Sequence, residues 1–228
     1  MSIPRWKRWL SYLVELELEH LRTDMHESLT VSLVRGRIQL FADRAIYSFE
    51  DLYSNFAEAF HRIDLSRLPG NRVLVLGLGL GSVIQLLEEQ HDFQGDYTAI
   101  EQDEAIIYLA RKYTIDTINR PITTITGDAE PFLLSYQGAS FDLVLLDIFQ
   151  DDHIPEFFST PTCLACIQRL LHPNGLLITN RLYRTPQDQV QTDQYVRHVF
   201  KTMFPHAAAM TVEGNRILFH DASYLKSS

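Results

Sequence analysis

Between residues 72 and 180 the sequence switches repeatedly between two hydrophobic periods, and this switching restricts the fold more than any other feature. Arg72–Leu76, Tyr97–Ile100, Ile122–Thr126, Phe141–Leu146 and Leu176–Thr179 are short apolar or β-branched runs. Helix-period stretches separate them: Ser82–Gln90, Glu104–Tyr113, Glu130–Tyr136 and Thr162–Leu171. In Glu104–Tyr113, the residues Ile106, Leu109, Ala110 and Tyr113 fall on one helical face. Apolar strands alternating with helices predict a parallel sheet covered on both faces. His172-Pro173-Asn174-Gly175 predicts a turn into the Leu176–Thr179 strand.

The flanks differ in character. Val14, Leu16 and Leu18 alternate with Glu15, Glu17 and Glu19, and Leu29, Val31 and Leu33 alternate with Thr30 and Ser32. Arg35-Gly36-Arg37 is a hairpin turn, Ile38–Phe41 returns, and Asp43-Arg44 turns into Ala45–Tyr47. Residues 1–50 are therefore expected to form a small β-strand and hairpin extension, and residues 51–228 the α/β domain. Leu52, Phe56 and Phe60, with Tyr53 beside them, mark a helix that Ser48 is placed to cap. Thr185-Pro186 and Asp188 open another, with Val196, Val199, Phe200 and Met203 as its stripe. A hairpin follows, Ala207–Val212 and Arg216–His220 around Glu213-Gly214-Asn215.

Charge and cysteine content exclude some partners. The chain carries 29 acidic against 20 basic side chains, a net charge of -9. A protein that tracks phosphates is ordinarily basic, so no nucleic-acid partner is expected. Two cysteines make no disulfide framework and point to a reducing compartment. No apolar stretch approaches the roughly 20 residues of a membrane span. A cytoplasmic location is expected. The basic start, with Trp6 and Trp9 among Arg5, Lys7 and Arg8, is expected to be a short segment docking on its own protein or a subunit neighbour rather than on a membrane surface.

The chemistry concentrates at strand ends. Gly77, Gly79 and Gly81 lie in the first strand-to-helix turn, followed by Ser82. Glycine admits unusual backbone angles and close ligand approach, and the helix start offers free N–H groups. The G-x-G-x-G spacing departs from the dinucleotide G-x-G-x-x-G, and there is no P-loop lysine. Glu101, with Gln102 after it, ends the second strand, where a carboxylate can accept ribose hydroxyls. Gly127-Asp128-Ala129 follows the third strand, placing an acid and a backbone N–H for an adenine edge. Asp147 ends the fourth, where loops assemble a reaction site.

These elements in this order resemble class I S-adenosylmethionine (AdoMet) methyltransferases, and more narrowly their spermidine synthase-like branch. The stretches that carry the resemblance are VLVLGLGLGSV (73–83), YTAIEQDEAI (97–106), ITGDAEPFL (125–133) and residues 141–180, with GRIQLFADRAIY (36–47) similar to the branch's N-terminal part. The resemblance implies a Rossmann-like seven-stranded methyltransferase sheet with helices on both faces, plus the small N-terminal β-rich extension. It implies that Gly77, Gly79, Gly81, Glu101, Gln102, Asp128, Ala129 and Asp147 bind the cofactor, with Asp147 and Asp151 catalytic. It also implies pairing of subunits into a homodimer through the N-terminal extension.

Departures from the branch favour one donor over another. Its glycine loop usually reads G-G-G-D-G, and this chain has Leu80 where the acid stands. A loop carboxylate suits decarboxylated AdoMet, whose tail ends in an ammonium, and would repel the carboxylate of intact AdoMet. The branch's D-S-S-D-P run is replaced by Asp147-Ile148-Phe149-Gln150-Asp151, and the N-terminal strands hold no Tyr-Gln pair for a polyamine. The expected function is therefore methyl transfer from AdoMet to a small amine or hydroxyl. Aminopropyl transfer from decarboxylated AdoMet is the alternative, and a non-catalytic nucleoside-binding module the third reading. Asp147 would orient or deprotonate the nucleophile, with Asp151, Asp152 or His153 contributing from the same loop. Cys163 and Cys166 are expected as helical core residues. No metal is expected, although Asp147 and Asn180 both stand at strand ends.

Overall fold

Apolar residues on successive positions of a strand must be covered on both sides, and the chain meets that demand with two helical layers. The computed structural model describes residues 3–42, 45–48, 54–150 and 153–226. Strands β5 (Arg72–Leu76), β6 (Asp96–Glu101), β7 (Ile122–Thr126), β8 (Phe141–Leu146), β9 (Leu171–Leu182), β10 (Ala208–Val212) and β11 (Asn215–Phe219) form one sheet, ordered β10-β11-β9-β8-β5-β6-β7. The pairs among β9, β8, β5, β6 and β7 are parallel, and β11 joins β9 antiparallel. Val73 and Val75 point into a core shared with α2 (Ser54–Arg62) and α3 (Ser82–His91). Leu74 and Leu76 point the other way, against α6 (Pro161–Leu170) and α7 (Pro186–Tyr195). Leu143 and Leu145 against Val144 and Leu146 repeat that division on β8.

The chain builds β5, β6 and β7 outward in one direction, then crosses back to lay β8 on the other side of β5. At that reversal the connections leave in opposite directions, and a crevice opens at the carboxyl ends of β5 and β8. The glycine turn and Asp147 both sit there.

A second, antiparallel sheet of β1 (Leu16–Leu21), β2 (Leu29–Val34), β3 (Arg37–Ala42) and β4 (Ala45–Ser48) runs in simple order. Its Leu29, Val31, Leu33, Ile38 and Leu40 share a buried cluster with Ile106, Leu109 and Tyr113 of α4 (Glu104–Tyr113) and with Leu80 of the glycine turn. The Lys112 ammonium and the Tyr113 hydroxyl both donate to Glu19 Oε2 of β1, at 2.6 and 2.8 Å.

The structure adds detail to three local expectations. Ser48 ends β4, and the helix it was placed to cap is described only from Ser54; Leu52 and Tyr53 lie outside the described residues, while Phe56 and Phe60 are fully buried. His172-Pro173-Asn174-Gly175 falls inside β9: Phe141 pairs with Leu171 and Leu143 with Leu176, so the turn bulges from a strand that continues on both sides. The N-terminal helix α1 (Arg5–Leu10) docks on the β2–β3 turn of its own chain through polar groups. Arg8 Nη1 donates to the Gly36 carbonyl, and the Gly36 and Arg35 N–H groups donate to Ser11. Trp6 and Trp9 remain 63% and 70% exposed. Among the described residues no helix is long and apolar enough to cross a membrane.

Candidate functional site

The glycine turn is shaped by what it must pass. Gly77 has φ +88°, and a Cβ there would lie 2.3 Å from the Asp147 carbonyl oxygen. Gly81 caps α3 at φ +82°, where a Cβ would meet Ile115 at 3.2 Å. Both positions therefore combine a left-handed backbone with close packing, which only glycine tolerates without strain. Backbone hydrogen bonds then lace the strand ends together. Gly77 N–H donates to Ile100, Asp147 N–H to Leu76 and Gly127 N–H to Glu101.

Glu101 is held by this lacing. Leu78 N–H donates to its Oε2 and Asp103 N–H to its Oε1, each at 3.1 Å. Burial pushes the carboxyl above its ordinary pKa, while the N–H groups of Asp103, Leu78, Gln102 and Gly79 pull against that rise. Each oxygen keeps lone-pair capacity for a further donor. Asp128 stands at the end of β7 as the N-cap of α5 (Ala129–Ser135), its Oδ1 taking Glu130 N–H at 2.9 Å. Its Oδ2 is left for another donor, beside the backbone of Ala129. Asp147 ends β8, and its Oδ1 accepts from Asn180 Nδ2 of β9 at 2.9 Å. A buried amide from the next strand thus fixes the carboxylate's orientation.

The structure accordingly gathers Gly77, Gly79, Gly81, Glu101, Asp128, Ala129 and Asp147 along one carboxyl edge of the sheet. Gln102 lies on the same edge but is exposed, and contributes its backbone N–H toward Glu101. Asp151 and Asp152 lie outside the described residues. His153 is exposed, its backbone bridging to Gln150. Leu80 is 1% exposed and turned into the cluster beneath the N-terminal sheet. Cys163 is an unpaired buried thiol of α6, its pKa pushed up to about 12 by burial, as a core residue requires.

Two supports escape sequence reasoning. Asp103 caps α4 through Ala105 N–H, and its other oxygen accepts from the Thr23 hydroxyl at 2.6 Å. Thr23 belongs to the loop between β1 and β2, and it also accepts from the N–H groups of Met25 and His26. The acid before Glu104 is a readable capping signal. Nothing local announces a partner 80 positions away.

Among known proteins, a polyamine aminopropyltransferase of Vibrio vulnificus is 31% identical over 111 residues, which is 48% of this chain and 37% of that protein. The match thus spans little more than a third of that relative's length. By structure, the chain is similar to the spermidine synthase of Thermotoga maritima, with a TM-score of 0.66 at 15% identity over 90% of this chain and 72% of that one. It is also similar to human methyltransferase-like protein 13 in complex with SAH, with a TM-score of 0.58 at 20% identity over 76% of this chain and 82% of that one. At these identities the structural likenesses show the fold, a spermidine synthase-like class I arrangement. A family model described as a methyltransferase domain matches residues 68–218, nearly all of the seven-stranded sheet with its glycine turn and strand-end acids, and the chain belongs to that family.

Proposed function

We propose that the protein is a transferase that takes an alkyl group from a nucleoside of the AdoMet type and gives it to a small acceptor. The first reading is aminopropyl transfer from decarboxylated AdoMet to an amine. The observation that carries the nucleoside part is the placement of Glu101, Asp128 and Asp147 at the ends of β6, β7 and β8 around the glycine turn. The choice of aminopropyl rests on the name of the curated relative.

The residues present fit such a nucleoside. Glu101 has lone pairs for ribose hydroxyls beyond those its backbone donors use. Asp128 Oδ2 and the Ala129 backbone suit an adenine edge. The sulfonium of the bound nucleoside supplies the electrophilic carbon, so the protein's task is alignment and proton removal. Asp147, oriented by Asn180, would hold the attacking group and accept its proton. Asp151 would assist from the same loop.

One observation favours a second reading, methyl transfer from intact AdoMet. Leu80 occupies the loop position where the resembling branch has an acid, and it is buried among apolar side chains. No carboxylate at that position repels the methionine carboxylate of AdoMet.

Calorimetric titration with AdoMet and with decarboxylated AdoMet, side by side, tests both. Tighter binding of the decarboxylated form, with aminopropylated product from a diamine, supports the first reading. The opposite preference, with methylated product, selects the second. Binding of neither overturns both and leaves a non-catalytic module.

A further inference from the structure

Neighbouring residues of β9 point to opposite faces of the sheet. Ile178 and Asn180 face the core of α2 and α3, and Asn180 reaches Asp147. Leu177 and Arg181 face the core of α6 and α7. The Arg181 side of the strand opens into a cleft of about 690 Å³ between α7 and the loop after β8, lined by His153, Ser159, Gln191, Gln194, Tyr195 and His198 among others.

Arg181 is an unusual residue to find there. It is 5% exposed, its guanidinium stacks on the Tyr195 ring with 3.8 Å to the centroid, and among the described residues only Nη2 has a hydrogen-bond partner, Ser159 Oγ at 3.1 Å. Among the described residues its Nε and Nη1 are buried without a partner, and so is the Tyr195 hydroxyl beside it. Among the described residues no carboxylate pairs with this cation. Asp188, which also lines the cleft, spends its Oδ2 on Thr185 N–H at the start of α7. A buried, unpaired guanidinium is costly, and buried donors are normally satisfied. The unsatisfied atoms on the Arg181 wall are N–H groups and a hydroxyl able to donate; Nε and Nη1 lie on different edges of the guanidinium, each edge shared with Nη2, and Ser159 takes one of the two Nη2 hydrogens, which leaves one two-donor edge open. That geometry suits an oxyanion, which only accepts and can engage an arginine through two parallel bonds.

We propose that this cleft is a second ligand site, separate from the nucleoside edge, that binds a small molecule through a phosphate or carboxylate group held by Arg181 and Tyr195. A polycationic acceptor does not fit it. The site lies across β9 from the Asp147–Asn180 pair, so its occupancy and nucleoside binding are separable.

The test measures thermal unfolding and calorimetric binding of the whole protein with inorganic phosphate, with malonate, and with chloride at matched ionic strength. Saturable stabilisation by phosphate or malonate beyond chloride is expected, and the stronger of the two names the source of the oxyanion. Arg181→Met should abolish the response. It should also raise the Tm of the ligand-free protein by roughly a few degrees, because an uncompensated buried charge is removed. Gln191→Glu, an exposed change at the cleft mouth, leaves the core untouched and should weaken the oxyanion about fivefold or more by like-charge repulsion. Nucleoside titration of each variant should match the unaltered protein. No saturable effect beyond chloride, or an effect that survives both substitutions, overturns the proposal. So does a fall in ligand-free Tm on Arg181→Met, which would make the guanidinium a structural strut on Tyr195.

Discussion

Two charged groups stand near the carboxyl edge of the same sheet, one half-buried and one buried, and the chain treats them in opposite ways. Glu101 has a backbone donor for each carboxylate oxygen, supplied by the glycine turn after β5 and the turn after β6. Among the described residues Arg181 has a single polar partner and an aromatic face, with Nε and Nη1 unsatisfied. The first charge is finished by its own chain and has capacity to spare for a ligand. The second is unfinished among the described residues, and the proposed oxyanion would complete it. A folded chain can therefore prepare for a ligand either by surplus acceptor capacity or by a deficit of partners, and only the deficit costs stability while the site is empty.

The sharpest break of the Glu101 side is at Asp147. Asp147→Asn keeps shape and hydrogen-bonding size but removes the proton acceptor, and turnover should fall roughly 10²–10⁴-fold. Nucleoside affinity, read by calorimetry, should stay within about threefold. Equal losses in turnover and affinity would make Asp147 a binding group instead. Arg181→Met, on the other side of β9, should leave turnover unchanged.

Glu101→Gln comes next. Charged hydrogen bonds to hydroxyls contribute about 1.5–3 kcal/mol, so affinity for the preferred nucleoside should drop on the order of 10–100-fold. The raised carboxyl pKa adds a pH signature. The folded protein holds this proton more tightly than the unfolded chain does. Glu101 therefore subtracts stability as pH rises from the ordinary value of 4.5 through its raised folded value. Nucleoside affinity runs the other way, since ribose hydroxyls need the carboxylate as acceptor: it should weaken as pH falls through that range. Glu101→Gln should flatten both profiles. An unaltered pH profile of binding would remove Glu101 from the ribose position.

The same contrast explains what was legible in the sequence. The glycine turn and the acids at 101, 128 and 147 each sit at the end of a strand whose apolar run is obvious, so local pattern placed them on one edge. Arg181 follows Thr179-Asn180 in a run that looks like the polar end of a strand. Its burial depends on how α7 folds back across β9, which no spacing encodes. The bulge at His172–Gly175 has true turn chemistry, and pairing on both sides overrides its effect on the strand.

The smallest effect sharpens the comparison by asking how far the finished site depends on the N-terminal sheet. Thr23 donates to Asp103, whose own N–H holds Glu101. Thr23→Val keeps the shape and removes the hydroxyl, leaving Asp103 Oδ2 and the N–H groups of Met25 and His26 short of a partner. The stability cost should be about 1–2 kcal/mol, or roughly 2–8 °C in Tm for a chain of this size. Nucleoside affinity should weaken a fewfold, because a loosened Asp103 loosens the donor that fixes Glu101. Phosphate or malonate binding at Arg181 should not move, since that wall is built from β9, α7 and the loop after β8 and touches no residue of β1 or β2. A parallel loss at both places would mean that the two charges share a support, and that the division between a finished and an unfinished site runs through packing common to both.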